Sequence, residues 1–285
     1  MTKIALAVLH GIGKQDELFS EQFSYRIRKK FVENLPPFVQ NPENELVIQP
    51  IFWGSVFQQK EEKIWKDLSS NGALHYSELR QFVIHFLGDA IAYQPSSMHN
   101  QNYEKVHHVY AQGLQELSSK AGADSPLFIA AHSLGSVITS NYFYDLQEIP
   151  DRLPPMIKEA ALSSPIERGE TLTGLFTLGS PLALWSLRYL DFDRPITVPS
   201  PHLKKHHPNL KGDWLNIYDQ DDCFGFPLKP ISPGYNSAVS QDMEINTGTF
   251  PSNLTPLSHL HYFTTDSIIS LIATSLGNAW IRINL

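Results

Sequence analysis

A serine between two small residues is the first feature of this sequence that could do chemistry. Ser133 stands in the run Ala131-His132-Ser133-Leu134-Gly135, between an apolar stretch and a helical pattern. Small residues two positions before and after a serine allow a sharp turn from a strand into a helix. The turn would place the hydroxyl at a helix N-terminus, where backbone amides favour developing negative charge. The pentapeptide therefore predicts a nucleophile, and a simple helix N-cap is the alternative.

A glycine-containing motif closes the first apolar run of the chain. It consists of His10, Gly11, Ile12 and Gly13. An amide from such a loop can pair with the amide that follows a nucleophilic serine, and together they bind an oxyanion. We therefore predict Ile12 and Leu134 as the two oxyanion-hole donors. An ordinary tight turn is the alternative.

Two phosphate-binding motifs that also begin with glycines do not fit this loop. A dinucleotide fingerprint would need glycine at position 16, where the chain has Asp16. A Walker motif fails because Lys14 is followed by Gln15. No cofactor is expected from either motif.

An aspartate cluster follows the apolar run 214–218 and offers the acid that a Ser-His-Asp system needs. Its members are Asp219, Asp221 and Asp222. A carboxylate at the carboxyl end of a parallel strand lies at the edge of the sheet where sites form. We favour Asp222, because the residues that follow it begin an apolar turn that could bury it. Each aspartate alone could be a solvated turn residue.

Two histidines before the last predicted helix are candidates for the base. His259 and His261 both follow the aspartates, so the chain order is serine, acid, histidine. We predict His259 as the base that accepts the Ser133 proton, with His261 as the alternative. His10, Gly11 and His132 are predicted to contact the substrate beside the serine.

Apolar runs separated by helical patterns predict the elements that position these residues. The expected strands are 4–9, 46–53, 126–131, 175–178, 214–218 and 239–246. Strands without alternation are typical of a parallel sheet that is buried on both faces. The fold class is therefore α/β, with a mostly parallel, doubly wound sheet. We expect a single domain over residues 1–285.

Residues 54–101 interrupt the alternation of strands and helices with two successive helical patterns. We interpret this segment as a helical cap inserted into the domain. Long connections in compact domains are usually functional. Phe86 and Ile91 of the second helix are predicted to line the path of an acyl chain.

Five segments of the chain resemble the α/β-hydrolase superfamily, and more narrowly its lipase-like and esterase-like members. They are VLHGIG, AAHSLGS, FTLGSPL, NIYDQDDCFGFPL and SHLHYF. The acid loop also resembles that of DDHD-type phospholipases, with Cys223 where that pattern has proline. The pattern Ser258, His259, Tyr262 favours His259 over His261 as the base. The resemblance implies an α/β-hydrolase fold, a Ser-His-Asp triad and hydrolysis of ester bonds.

Composition excludes several other classes of function. The net charge of −7 gives no basic footprint for nucleic acid. The apolar run near the N-terminus is too short for a signal peptide, and no stretch is long enough to span a membrane. With a single cysteine, Cys223, these features lead us to expect a cytoplasmic protein. His202, His206 and His207 could be metal ligands, but no fourth ligand stands nearby, and we expect no metal.

These features together predict a serine hydrolase whose substrate is a small-molecule or lipid ester. The alternatives are an acyltransferase or thioesterase with the same three residues, and a non-catalytic binding protein that kept the fold. The oligomeric state is left open.

Overall fold

The computed structural model describes residues 1–11, 16–70, 72, 75–93, 101–149, 153, 163–188, 192–250 and 252–285. Two of the predicted site groups lie outside this description: residue Ile12, and the side chain of Phe86. Their predicted roles stay predictions.

A six-stranded, all-parallel sheet forms the centre of the described chain, in the order β2-β1-β3-β4-β5-β6. The strands are β1 (Ile4–Leu9), β2 (Leu46–Ile51), β3 (Leu127–His132), β4 (Leu172–Leu178), β5 (Trp214–Tyr218) and β6 (Gln241–Glu244). The helices are α1 (Glu21–Glu33), α2 (Gln58–Ser69), α3 (Ser77–Ala92), α4 (Gln101–Ala121), α5 (Leu134–Gln147), α6 (Leu182–Trp185), α7 (Leu203–His206), α8 (Pro233–Ala238) and α9 (Asp266–Asn284). The α/β class and the parallel sheet predicted from the sequence are confirmed.

Helices cover both faces of the sheet, which explains why the central strands lack polar alternation. Every residue of β1 is fully buried. Ile4, Leu6 and Val8 pack against α1 and α9 on one face. Ala5, Ala7 and Leu9 belong to the core on the other face, with α4 and α5. A strand between two helical layers has no water-facing side, so it requires apolar residues throughout.

The strand order contains one topological switch point. From β1 the chain passes to β2 on one side, and β3 then pairs with the other side of β1. Loops that leave the carboxyl ends of β1 and β3 therefore diverge and leave a crevice between them, where open α/β sheets bind their ligands. The motif beginning at His10 follows β1, and Ser133 follows β3. The two sequence motifs that suggested chemistry are thus adjacent at this crevice.

Four of the six predicted strands have different bounds in the structure. The third, predicted over residues 126–131, spans Leu127–His132. The second strand ends at Ile51, because Trp53 begins a 3₁₀ turn and its indole Nε1 donates to the His10 carbonyl over 2.9 Å. The fourth strand begins at Leu172, three residues before the predicted start. The sixth is shorter than predicted and spans only Gln241–Glu244.

Two consecutive helices, α2 and α3, follow β2, as the interrupted alternation predicted. They pack on each other. Within the described residues, no strand intervenes between β2 and α4. None of the described helices combines the length and apolar character needed to cross a membrane.

Candidate active site

Ser133 occupies a strained turn between β3 and α5. Its backbone has φ 52° and ψ −126°, and φ in this range is rare for a residue with a Cβ. Such a conformation costs about 1–3 kcal/mol and persists only where the surroundings enforce it. The Ser133 amide donates to the Leu178 carbonyl over 2.9 Å, which ties the turn to β4. The turn holds the hydroxyl at the carboxyl edge of the sheet.

Two glycines allow the chain to pack tightly around this turn. A Cβ on Gly11 would lie 2.6 Å from the Ser133 Cβ and 2.8 Å from Nδ1 of His132. A Cβ on Gly135 would lie 2.6 Å from the His10 carbonyl oxygen. Any side chain at either position would push the loop after β1 away from the serine. Gly135, one of the two small residues predicted for the turn, is therefore required by close contact with the backbone of the loop after β1.

A continuous hydrogen-bond chain joins the predicted serine, histidine and aspartate. His259 Nε2 lies 2.9 Å from Ser133 Oγ, and His259 Nδ1 lies 2.8 Å from Asp222 Oδ2. With the proton on Nδ1, the ring donates to the carboxylate and its Nε2 accepts from the serine hydroxyl. All three side chains are buried. The structure thus brings together residues that are separated by 126 positions in the chain.

Asp222 is held as a carboxylate by several donors. Oδ2 also accepts from the Tyr262 hydroxyl over 2.8 Å, and Oδ1 accepts from the Phe224 amide over 2.8 Å. Burial opposes ionisation of the carboxyl group, but the hydrogen bond and charge of His259, together with these two donors, outweigh it. The pKa of Asp222 is therefore held below its usual value. A carboxylate ionised in this way can orient the imidazole and stabilise its protonated form.

Two further glycines leave room for this acid. A Cβ on Gly179, which has φ 55°, would lie 2.9 Å from Asp222 Oδ2. A Cβ on Gly225 would lie 2.5 Å from the same oxygen. Gly179 lies in the loop after β4 and Gly225 in the loop after β5, and because neither has a side chain, the backbone at both positions can approach Asp222 closely.

The competing aspartates have other positions. Asp219 is buried, and its two carboxylate oxygens accept from the backbone amides of Asp221 and Thr247. The Asp219 amide donates to the Tyr262 hydroxyl over 3.0 Å. Asp219 therefore shapes the turn that presents Asp222. Of the two candidate histidines, His259 is the one whose ring contacts Ser133 and Asp222.

The acid assignment predicts a clear difference between neighbouring amide substitutions. Asp222→Asn is expected to lower kcat by about 10⁴-fold, because an amide cannot hold the imidazole with its proton on Nδ1. Asp221→Asn is the matched control and is expected to change kcat by less than about threefold. Steady-state kinetics on one ester measures both. Equal losses in the two variants would contradict the assignment.

His132 lies beside the serine and holds the base loop in place. Its Nε2 donates to the His259 carbonyl over 2.8 Å, and the two rings lie 4.8 Å apart. Loss of water around the ring, followed by the neighbouring charge on His259, lowers the pKa of His132 to about 3. The neutral ring is thus a fixed link between the turn and the loop that carries the base. Its predicted contact with substrate stays a prediction.

The His10 ring fixes the loop after β1 through hydrogen bonds to backbone groups. Its ring is buried and stacked on Trp53 at 4.6 Å. Nδ1 lies 2.7 Å from the Gly11 carbonyl and donates to it, while Nε2 accepts from the Gly54 amide over 3.2 Å. Burial lowers the pKa of His10 to about 4. The structure therefore assigns both ring nitrogens to backbone groups, and substrate contact through Gly11 and His10 stays a prediction.

The depressed pKa of His10 predicts how stability depends on pH. The unfolded chain protonates this histidine below pH ~6.5, whereas the folded protein keeps it neutral down to about pH 4. Its contribution is therefore complete above pH ~6.5 and is lost as the pH falls, at about 1.4 kcal/mol per pH unit. Denaturant unfolding of His10→Gln between pH 6.5 and 4.5 should show a slope smaller by that amount. His202→Gln, at an exposed histidine, is the control; an equal slope change there would contradict the prediction.

The N-terminus of α5 offers one predicted oxyanion donor. Leu134 is the first residue of this helix, so its amide is one of those without a partner within the helix. The amide follows the serine directly and lies at the positive end of the helix dipole. The second predicted donor, Ile12, lies outside the described residues.

Two of the three histidines considered as metal ligands contact protein groups through their rings. His206 Nε2 pairs with Glu170 Oε2 over 2.8 Å, and His207 Nε2 donates to the Asp124 carbonyl over 2.6 Å. His202 is exposed. In the part of the chain that the structure describes, no group of three or more His, Cys, Asp or Glu residues could hold a metal ion.

Sequence reasoning missed three contributors to the site. It noted Tyr262 in a pattern but not as a donor to Asp222, and it did not single out Gly179 or Gly225. Gly179 directly follows β4, and Gly225 lies in the loop after β5. A glycine at such a position can indicate that another part of the chain approaches the backbone closely there.

In chemical terms, the arrangement can remove a proton from a serine hydroxyl and stabilise the resulting charge on the histidine.

Comparisons with protein-family models, with curated proteins and with solved structures find no match to this chain.

Proposed function

We propose that this protein is a serine hydrolase of the α/β-hydrolase fold that cleaves a carboxylic ester through an acyl-enzyme. The observation that carries the proposal is the hydrogen-bond chain from Ser133 through His259 to Asp222, which starts at a strained strand-to-helix turn. A buried helix N-cap would need neither the base nor the acid. Strain of this kind is commonly found where a nucleophile must be presented.

The position of the three residues along the chain supports the fold assignment. The serine follows β3, the acid follows β5, and the base precedes the last helix. The order serine, acid, histidine is that of α/β hydrolases. The parallel sheet and the loop after β1 next to the serine are compatible with the same fold.

The proposed first step is acylation. Ser133 Oγ attacks the ester carbonyl carbon while its proton moves to His259 Nε2, and Asp222 stabilises the imidazolium. The negative charge that forms on the carbonyl oxygen is bound by the Leu134 amide and by the predicted Ile12 amide. Collapse of the tetrahedral intermediate breaks the bond to the alcohol, which leaves with the proton from His259.

The second step returns the enzyme to its starting state. His259 takes a proton from a water molecule, which attacks the acyl carbonyl carbon. The bond to Ser133 then breaks, the serine regains its proton, and the carboxylic acid is released. Transfer to an alcohol, or cleavage of a thioester, would use the same residues with a different acceptor or leaving group.

A fluorophosphonate probe and a panel of p-nitrophenyl esters test the proposal. The probe is expected to modify Ser133 alone, as located by peptide mass spectrometry, because only an activated serine attacks it at a useful rate. Ester hydrolysis is expected without added metal and in excess EDTA. A protein that is neither labelled nor active on any ester would be a binding protein with this fold, and the proposal would be wrong.

Ile91 in α3 gives a direct test of the predicted cap. Its side chain is 72% exposed, so Ile91→Ala should change the free energy of unfolding by less than about 0.5 kcal/mol. If the α2–α3 segment guides the acyl chain, the variant should shift the preferred chain length while hydrolysis of the shortest ester stays the same. Ile149→Ala, at an exposed isoleucine after α5, is the control. An unchanged chain-length profile in Ile91→Ala would rule out this role.

A further inference from the structure

Two rings from one short segment of the chain meet the same carboxylate oxygen. His259 lies in the 3₁₀-helix Pro256–Leu260, and Tyr262 begins the next one. Nδ1 of His259 and the hydroxyl oxygen of Tyr262 each lie 2.8 Å from Asp222 Oδ2. The planes of the two rings are inclined by 78° to each other. One oxygen atom therefore accepts from both donors, and each donor reduces the negative charge that the other meets.

The direction of the Tyr262 hydroxyl proton follows from a second neighbour. The backbone amide of Asp219 lies 3.0 Å from the hydroxyl oxygen. A backbone amide can only donate, so the oxygen accepts from it and keeps its single proton for another acceptor. Oδ2 of Asp222 is that acceptor. The tyrosine thus donates to the proposed acid.

The surroundings of Tyr262 are packed too closely for water to replace this donor. Tyr262 and the side chain of Asp222 are fully buried. A Cβ on Gly225 would lie 3.1 Å from the Tyr262 hydroxyl, and a Cβ on Gly179 would lie 2.7 Å from its ring. A hydroxyl group is smaller than a water molecule, whose share of the liquid volume is about 30 Å³. If the hydroxyl were removed, Oδ2 would therefore present more negative charge to His259.

We propose that Tyr262 is a positioning residue that shares the charge of Asp222 Oδ2 with His259 and thereby sets the pH at which this base is free. The inference rests on the proposed function, because His259 is the base through its contact with Ser133. A carboxylate with fewer donors favours the protonated imidazole more strongly. Without the tyrosine hydroxyl, the ring should stay protonated to a higher pH.

The neighbouring titratable groups do not obscure this effect. Within the described residues, those that face Asp222 and His259 or the rings beside them are His132, His10, Tyr262, Cys223 and Asp219, whose carboxylate accepts from backbone amides. Burial lowers the pKa of His132 to about 3 and that of His10 to about 4, so both rings are neutral near pH 7. Burial raises the pKa of the Cys223 thiol above its usual value. A shift of the pH profile near neutrality can therefore be assigned to the pair of His259 and Asp222.

The pH profile of kcat/KM on p-nitrophenyl acetate tests the inference. Tyr262→Phe should move the midpoint of the acid limb to higher pH by at least about 0.5 unit, because that limb reports protonation of the base in the free enzyme. Tyr103→Phe is the matched control, since it also removes a buried tyrosine hydroxyl, here 2.7 Å from the carboxylate of Asp145. Asp145 lies near the end of α5, whereas Ser133 precedes its first residue. The control should keep the midpoint of the wild type.

Thr247→Val separates the effect of charge from that of loop geometry. The Thr247 amide donates to the Asp219 carboxylate, and its hydroxyl donates to the Ser258 carbonyl over 2.6 Å. Thr247 therefore also ties the turn of the acid to the segment of the base. Valine removes the bond to Ser258 and leaves the donors to Asp222 in place. This variant should not move the midpoint, whatever its effect on kcat.

Replacement of Tyr262 by 3-fluorotyrosine tests the same contact with the hydroxyl retained. A fluorine next to the hydroxyl makes it a stronger donor, and burial, which raises the pKa of Tyr262, keeps it protonated. The midpoint should then move to lower pH, opposite to the shift in Tyr262→Phe. This protein decides the question where the phenylalanine variant does not fold.

The NMR resonance of the His259 Nδ1 proton provides a measurement that needs no substrate. An oxygen with one donor fewer binds this proton more strongly, so the resonance should move downfield in Tyr262→Phe and upfield in the 3-fluorotyrosine protein. An unchanged resonance, an unchanged midpoint, or an equal shift of the midpoint in Tyr103→Phe or Thr247→Val would overturn the inference. A wild-type protein that hydrolyses no ester would overturn the proposed function instead, and the NMR comparison would still decide whether Tyr262 shares the charge of Asp222.

Discussion

Ser133→Ala is expected to lower kcat on the best ester by about 10⁶-fold, to the rate that binding and the oxyanion donors alone provide. The hydroxyl is the group that would form the covalent bond. It lies 2.9 Å from His259 Nε2, which would accept its proton in the first step. Labelling by a fluorophosphonate probe should disappear with it. Activity that stays within about tenfold of the wild type, a change of about 1.4 kcal/mol in barrier, would contradict the assignment.

Stability measurements separate a chemical role for the hydroxyl from a structural one. Ser133→Ala keeps the Cβ, so the strained φ of 52° is unchanged and only one hydrogen bond is lost. The free energy of unfolding should therefore change by about 1 kcal/mol or less. Ser133→Gly should be equally inactive but more stable than the alanine variant, because glycine adopts a positive φ without strain. A large loss of stability in both variants would indicate that the serine is there to cap α5.

Strands that consist of one short, uninterrupted apolar run were predicted with correct bounds. β1 and β5 match the predicted bounds, because each is a short run that needs no partner to be recognised. The start of β4 was missed because Gly174 interrupts its apolar pattern. In the structure the Phe128 ring fills that space, and a Cβ on Gly174 would lie 2.5 Å from it. Such compensation depends on a neighbouring strand and cannot be seen in a local pattern.

The candidate site divides in the same way. Ser133 could be predicted as a nucleophile because a strand-to-helix turn leaves a local signature. Chain order reduced the candidates for the acid to three aspartates and those for the base to two histidines. In the structure the Asp222 carboxylate contacts the His259 ring, whereas the Asp219 carboxylate accepts from two backbone amides, and this difference favours Asp222 as the proposed acid. The Tyr262 hydroxyl, which bridges the Asp219 amide and the Asp222 carboxylate, depends on a contact across 40 residues. No spacing rule predicts a bridge of that kind.

His259→Ala is expected to lower kcat about as much as Ser133→Ala, by about 10⁶-fold, because the three residues would act as a unit. Without the ring, nothing accepts the serine proton during attack and nothing returns a proton to the leaving alcohol. The matched control is His261→Ala, two positions away on the same loop, which should retain kcat within about threefold. Steady-state kinetics and probe labelling of both variants, with thermal midpoints to verify folding, measure the difference.

The contrast between these two histidines tests the geometry rather than the residue type. His259 contacts Ser133 Oγ and Asp222 Oδ2 from opposite sides of one ring, so its removal breaks both hydrogen bonds at once. His261 takes part through its backbone, which accepts from the amide of Thr264 and the hydroxyl of Thr265. Alanine keeps those backbone bonds, and the turn before α9 should therefore survive the change. A severe loss of kcat in His261→Ala with a mild loss in His259→Ala would transfer the role of base to His261. Mild losses of kcat in both variants would leave Ser133 without a base and would contradict the proposed hydrolase.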